Sequence, residues 1–195
     1  QRRRRVLGED HPETLQSASH LAADLRLLGE WQPAQDLEED TWERRKRMLG
    51  PDHPDTLLSA DNLASTLTLN GAYARARDLD EATLQTRRRV LGADHPGTLT
   101  SAHNLAEHMR RTGDLDLAQD LDRDTLNRRR RVLGADHPAT LASEHSVAVN
   151  LGLSAQWEDA VEVAGAAFAH RRRVLGPDHP DTLDSAALLA DLYWQ

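Results

Sequence analysis

A nine-residue phrase, Leu-Gly-x-Asp-His-Pro-x-Thr-Leu, returns at a fixed interval of 42 residues, beginning at Leu7, Leu49, Leu91, Leu133 and Leu175. Serine recurs two residues beyond it, at Ser17, Ser59, Ser101, Ser143 and Ser185. A chain written this way does not build one indivisible core. Each period is a supersecondary unit that leaves apolar surface for its neighbours to cover, so stability comes from stacking. The spacing divides residues 1–195 into one repeat domain: 1–6 as the end of a preceding helix, repeats 7–48, 49–90, 91–132 and 133–174, and a half repeat 175–195. A segment of a longer protein is expected.

Each period reads as two helices. The apolar set is dominated by 31 Leu and 27 Ala, with 8 Val and no Ile. Leu and Ala favour helix, and the β-branched residues that favour strands are scarce. In the second copy Asp52 precedes a helix start, and Pro54 sits in the first turn, where a missing N–H costs nothing. Asp10 with Glu13 has capping-box spacing. Leu57, Ala60, Leu63, Ala64 and Leu67 follow steps of three and four and form one stripe. Gly71 closes that helix, Tyr73 and Ala76 open the next, and Gly92 ends it. Helices are expected near 12–28, 31–48, 54–70, 73–90, 96–112, 115–132, 138–153, 157–174 and 180–194. The fold class is all-α, a right-handed α-solenoid of antiparallel helix pairs.

The segment Asn62-Leu63-Ala64, Gly71-Ala72-Tyr73, Ala76 resembles the core of a tetratricopeptide repeat (TPR). Asn104-Leu105-Ala106 with Gly113 and Ala118 agrees, as does Leu21-Ala22 with Gly29, Trp31 and Ala34. The long period and the linker phrase resemble the kinesin-light-chain subclass, whose repeats are 42 residues instead of 34. In block 4 Ala155 replaces the turn glycine and Val147 the usual Leu. The resemblance implies that the first helices line a concave groove, where the residue before the Leu-Ala pair points inward: His20, Asn62, Asn104 and Ser146. Asn at this position holds the backbone of an extended peptide in such repeats, and its amide suits a peptide unit because it donates and accepts together. Arg26, Glu107, Arg110 and Arg111 follow on the same face and would choose side chains, favouring a partner with an acid. The resemblance also implies a context in a bacterial signalling protein, downstream of a nucleotide-binding switch.

Composition removes several other functions. Without cysteine there is no disulfide framework and no thiolate chemistry. A formal net charge of -8 argues against nucleic acid. No apolar run spans a membrane and no leader pattern appears, so a cytoplasmic protein with no membrane partner is expected. Twenty-three of the 24 basic residues are Arg, a bias that reads as bacterial coding. The recurring His11, His53, His95, His137 and His179 do not form a metal ladder. Stacked equivalents lie roughly 8–10 Å apart, whereas shared metal ligands each sit about 2 Å from the ion. No phosphate loop or nucleophile–base constellation stands apart from the repeat, so no cofactor and no enzymatic activity are expected.

Two features stay open. Every second helix ends in a basic run, such as Arg44 to Arg47 or Arg128 to Arg131. Acids early and bases late complement the helix dipole, but a positive ridge could also meet a polyanion. Block 4 replaces charge with Val161, Val163, Ala164, Gly165, Ala166, Ala167, Phe168 and Ala169, a face expected to meet another helix. Leu183, Ala186, Leu188, Leu189, Leu192, Tyr193 and Trp194 form an expected exposed patch, and hence self-association through the C-terminal helix. The function expected is a peptide- or protein-binding scaffold. The alternative is a structural spacer or self-assembly element with no groove ligand.

Overall fold

The computed structural model describes residues 2–194. It contains ten helices, and no strand occurs among the described residues. The chain divides after Val90 into two compact units. The first holds α1 (Arg2–Leu7), α2 (Pro12–Leu27), α3 (Trp31–Leu49), α4 (Pro54–Leu69) and α5 (Tyr73–Leu91), whose last residue passes into the second unit. The second holds α6 (Pro96–Thr112), α7 (Leu115–Leu133), α8 (Pro138–Leu153), α9 (Trp157–Leu175) and α10 (Pro180–Tyr193). The ends agree with the 42-residue reading to within a residue.

The recurring linker residues have different tasks from those the sequence suggested. Asp10 and Asp52 are not the helix caps. In every copy the cap is the histidine, whose Nδ1 accepts a hydrogen bond from the backbone N–H two residues on. The donors are Glu13 (3.2 Å), Asp55 (3.1 Å), Gly97 (3.0 Å), Ala139 (3.1 Å) and Asp181 (3.2 Å). This satisfies one of the N–H groups that a helix start leaves without a partner. Pro follows at the first helical position, where it costs no hydrogen bond.

The linker aspartates instead take the basic runs. Arg44 donates to Asp10 at 2.9 Å, and Arg89 to Asp52. Arg128 and Arg131 reach Asp94 at 2.8 and 2.7 Å, and Arg173 reaches Asp136 at 2.6 Å. Much of the expected positive ridge is therefore neutralised within the fold.

One arginine in each of four runs reaches the following first helix; Arg45, Arg129 and Arg171 are buried there, while Arg3 stays exposed. Arg3, Arg45, Arg129 and Arg171 donate to Ser17, Ser59, Ser143 and Ser185, at 2.7, 2.6, 2.7 and 2.9 Å. Each bond ties the end of one second helix to the following first helix. That explains why Ser and Arg recur together, and why Ser59, Ser143 and Ser185 are buried. Apolar packing completes each unit. In the first, Leu63, Ala64, Leu67 and Ala76 cluster with Trp42, Ala72 and Leu79. In the second, Leu126, Val147, Ala148, Leu151, Ala160, Ala164 and Leu192 form the core.

The last helix departs from expectation. Leu192 is buried, and Leu188 and Leu189 pack partly against the core. A Cβ on Gly152 would stand 2.9 Å from Leu192 Cδ2, so the glycine admits the leucine. The exposed apolar surface of α10 and its end reduces to Leu183, Tyr193 and Trp194, the last 89% exposed. In block 4, Ala160, Ala164 and Ala167 serve the unit's own core, while Ala166 and Ala169 remain exposed.

Candidate functional site

The first helices present polar positions one repeat apart, and the two units carry them separately. In the first unit α2 carries His20 and α4 carries Asn62. In the second, α6 carries Asn104 and α8 carries Ser146. The 16- to 17-residue first helices run without a break through these positions, so rigid elements fix where the side chains stand.

Asn62 and Asn104 are half-buried, and neither carboxamide has a hydrogen-bond partner among the described residues. Two other asparagines differ. Asn70 donates to Gln35 Oε1 at 2.6 Å, and Asn150 is fully buried and donates to Asp122 at 2.7 Å. Asn62 and Asn104 thus keep a complete donor and acceptor set toward a ligand. His20 is exposed and paired with Gln16 at 2.8 Å, and Ser146 is buried.

The four charged candidates are already engaged. Arg110 donates to Asp122 at 2.6 Å, and its side chain is 12% exposed. Arg26 donates to the Asn62 carbonyl at 3.4 Å and lies 3.8 Å from Glu38. Glu107 and Arg111 pair with each other at 3.0 Å. The arginines that suggested an acidic ligand are neutralised within the chain.

The acids that hold them went unnoticed in the sequence. Glu38, Asp80 and Asp122 recur 42 residues apart on the second helices, and all three are buried. Glu38 accepts from Thr66, and Asp122 from Asn150, both on the next first helix. Burial pushes the Asp122 carboxyl up to about 6, against the opposing pull of Arg110 and Asn150. Burial, helped by Arg129 and Arg110, pushes the His103 ring down to about 4. Burial and Arg171 do the same at His145. Both rings are neutral at pH 7, His103 next to Asn104 in the chain and His145 next to Ser146.

Models of the tetratricopeptide repeat match residues 14–55, 55–130 and 102–170. Two crystal structures of nearly identical TPR-like repeats from Podosopora anserina, described as a kinesin light chain, are 30% identical to the chain. Each covers 94% of this chain and 87% of its own, with TM-scores of 0.82 and 0.80. The structure of BtubC (BKLC) from P. vanneervenii matches at TM-score 0.81 over 99% of this chain and 78% of that one. At 18% identity it speaks to the fold alone. No curated protein matches in sequence.

Proposed function

The chain belongs to the tetratricopeptide repeat family, of the kinesin-light-chain-like kind, and is a protein-interaction scaffold; from that premise we propose that its first-helix faces bind the backbone of an extended peptide. One observation carries the reading. Asn62 and Asn104 keep free carboxamides at recurring positions, whereas Asn70 and Asn150 are committed to intrachain bonds. A carboxamide can pair with both the C=O and the N–H of one peptide unit, so it recognises chain regardless of side chain. His20 and Ser146 differ chemically and would add little to such pairing. The place of this scaffold as the sensor of a bacterial signalling protein belongs to the same proposal.

Peptides selected from a displayed random library test it. Binding should fall roughly tenfold or more in Asn62→Ala/Asn104→Ala, with an unchanged melting temperature, since each lost bond to a peptide unit weakens the complex by about 0.5–1.5 kcal/mol. Unchanged affinity would sink the proposal.

A second reading, self-association through α10, is favoured by exposed Leu183, Tyr193 and Trp194. Sedimentation equilibrium should then show an oligomer that Leu183→Asp/Trp194→Asp dissolves. A strict monomer at high concentration would remove it.

A further inference from the structure

A cleft of about 260 Å³ opens in the first unit between the first turns of α2 and α4 and the last turn of α3. Its walls are Pro12, Leu15, Met48 and Leu49, and Arg45 forms part of the floor. Asp10, Glu13 and Asp55 also line it. The volume lies just below the range of small-molecule pockets, about 300–1,000 Å³, and suits a single large side chain.

The floor is closed to a ligand's charge. Arg45 is 3% exposed, and its guanidinium donates to Ser59 Oγ (2.6 Å), Gln16 Oε1 (3.3 Å) and the Asp55 carbonyl (3.4 Å). What remains open is apolar wall, with Met48 53% exposed.

The rim is acidic. The Asp10 carboxylate is held by Arg44 at 2.9 Å, with Arg47 at 3.7 Å. Glu13 and Asp55 are more loosely held, their side chains 62% and 55% exposed. Arg3 stands 3.6 Å from the Glu13 carboxylate, and the nearest group to the Asp55 carboxylate is the His53 ring at 4.0 Å, whose Nδ1 accepts the Asp55 N–H.

The same joint two repeats later shows that this chemistry is not a by-product of the fold. There the positions of Glu13, Gln16, Met48 and Asp55 are Gly97, Thr100, Val132 and Ala139. The inward arginine, Arg129, makes the same serine bond and donates also to the backbone carbonyls of Leu99 and Ala139. The repeat closes this joint without two acids, a methionine and a glutamine, so nothing in the stacking requires them in the first unit.

We propose that this cleft docks one large apolar side chain of a partner segment whose neighbouring residues are lysine or arginine. The apolar side chain fills the space between Leu15, Met48 and Leu49, and its basic neighbours stand against Glu13 and Asp55. The proposal shares with the peptide-binding reading only the assumption that the partner is extended chain, and it uses neither Asn62 nor Asn104.

The test pans a displayed random-peptide library against the intact chain and measures the winners by fluorescence polarisation. The variants are Met48→Asp, Glu13→Lys/Asp55→Lys, and Asn62→Ala/Asn104→Ala, each checked by thermal melting. All the cleft substitutions are at exposed positions, so the variants should melt with the parent. The expected winners carry a large apolar residue flanked by Lys or Arg. Met48→Asp and the charge reversal should each weaken them roughly tenfold or more. Panning repeated on the charge-reversed chain should return acid-flanked peptides. Winners without this pattern, no enrichment, or unchanged affinity for both cleft variants overturns the proposal. Winners that respond to the Asn variant alone overturn it while leaving the peptide-binding reading in place.

Discussion

The joint at Asp122 and the joint at Ala164 occupy the same place one repeat apart, within one unit, and are closed by opposite chemistry. At the first, buried Asp122 accepts from Arg110 on its own repeat and from Asn150 on the next. At the second, those three positions are Gly152, Ala164 and Leu192, and the joint is apolar, with Leu192 seated on the glycine. Glu38 with Arg26 and Thr66 repeats the polar version in the other unit. The three positions change together because each makes sense only beside the others. A buried carboxylate with no donor beside it is an uncompensated charge, and an arginine beside Ala164 would have no partner.

Breaking the comparison from the apolar side should cost most. Ala164→Asp places a carboxylate at a site 1% exposed, beside Leu192 and with no donor from Gly152. Urea unfolding should show a loss of about 3–5 kcal/mol. Near-neutral behaviour would show that the joint is open to water. Asp122→Ala attacks the polar side and leaves Arg110 and Asn150 without their acceptor. The expected loss is smaller, about 2–3 kcal/mol, because Arg110 can turn out to solvent while Asn150, fully buried, cannot. A gain in stability would mean that the buried acid costs more than its two bonds return.

Gly152→Ala sharpens the comparison by one methyl group. Its Cβ would meet Leu192 Cδ2 at 2.9 Å, so the leucine's flexible tip must move, and with alanine's better helix propensity set against that cost the melting temperature should drop by the equivalent of about 1 kcal/mol. A rise of the melting temperature by the full helix-propensity gain would mean that α10 rides loosely on α8. The smallest effect should be a gain. Ala155 has φ 56, the one positive φ outside glycine among the described residues, where earlier repeats place Gly29, Gly71 and Gly113. Ala155→Gly should relieve the Cβ and stabilise the unit by about 0.5–1 kcal/mol. A loss instead would show that the extra freedom in the unfolded chain outweighs the relieved strain.

Helix positions were legible because the signals are local: Pro at the first helical residue, Gly or its substitute after the last, and Leu and Ala at steps of three and four. The recurrence also singled out Ser59 and its equivalents, of which Ser59, Ser101, Ser143 and Ser185 are buried and Ser17 is half-buried. What was not legible is which residue answers which. Asp10 and His11 stand side by side, and either could have capped α2. Arg44 lies 34 residues along the chain from Asp10, and only the packed repeat brings it near enough to claim the carboxylate. Histidine is then left at the cap. Arg110 looked available for a ligand because Asp122, twelve residues on, belongs to another helix. A 42-residue spacing of Glu38, Asp80 and Asp122 was present in the sequence and, paired with Arg26 and Arg110, would have pointed to buried ion pairs. The free state of Asn62 and Asn104 is not a sequence property at all, since Asn150 has the same side chain and is committed to Asp122.

That last contrast permits the most direct test of the account, in which most recurring polar residues hold repeats together and Asn62 and Asn104 are left for a partner. The measurement is the side-chain amide NMR signals of Asn62, Asn104 and Asn150, assigned through single Asn→Asp variants at the two half-buried sites, during titration with a library-selected peptide. The account predicts that the Asn62 and Asn104 amide protons shift downfield and exchange more slowly with water as peptide binds, while those of Asn150 stay where they are. A peptide that saturates the chain and leaves both signals unmoved would contradict it.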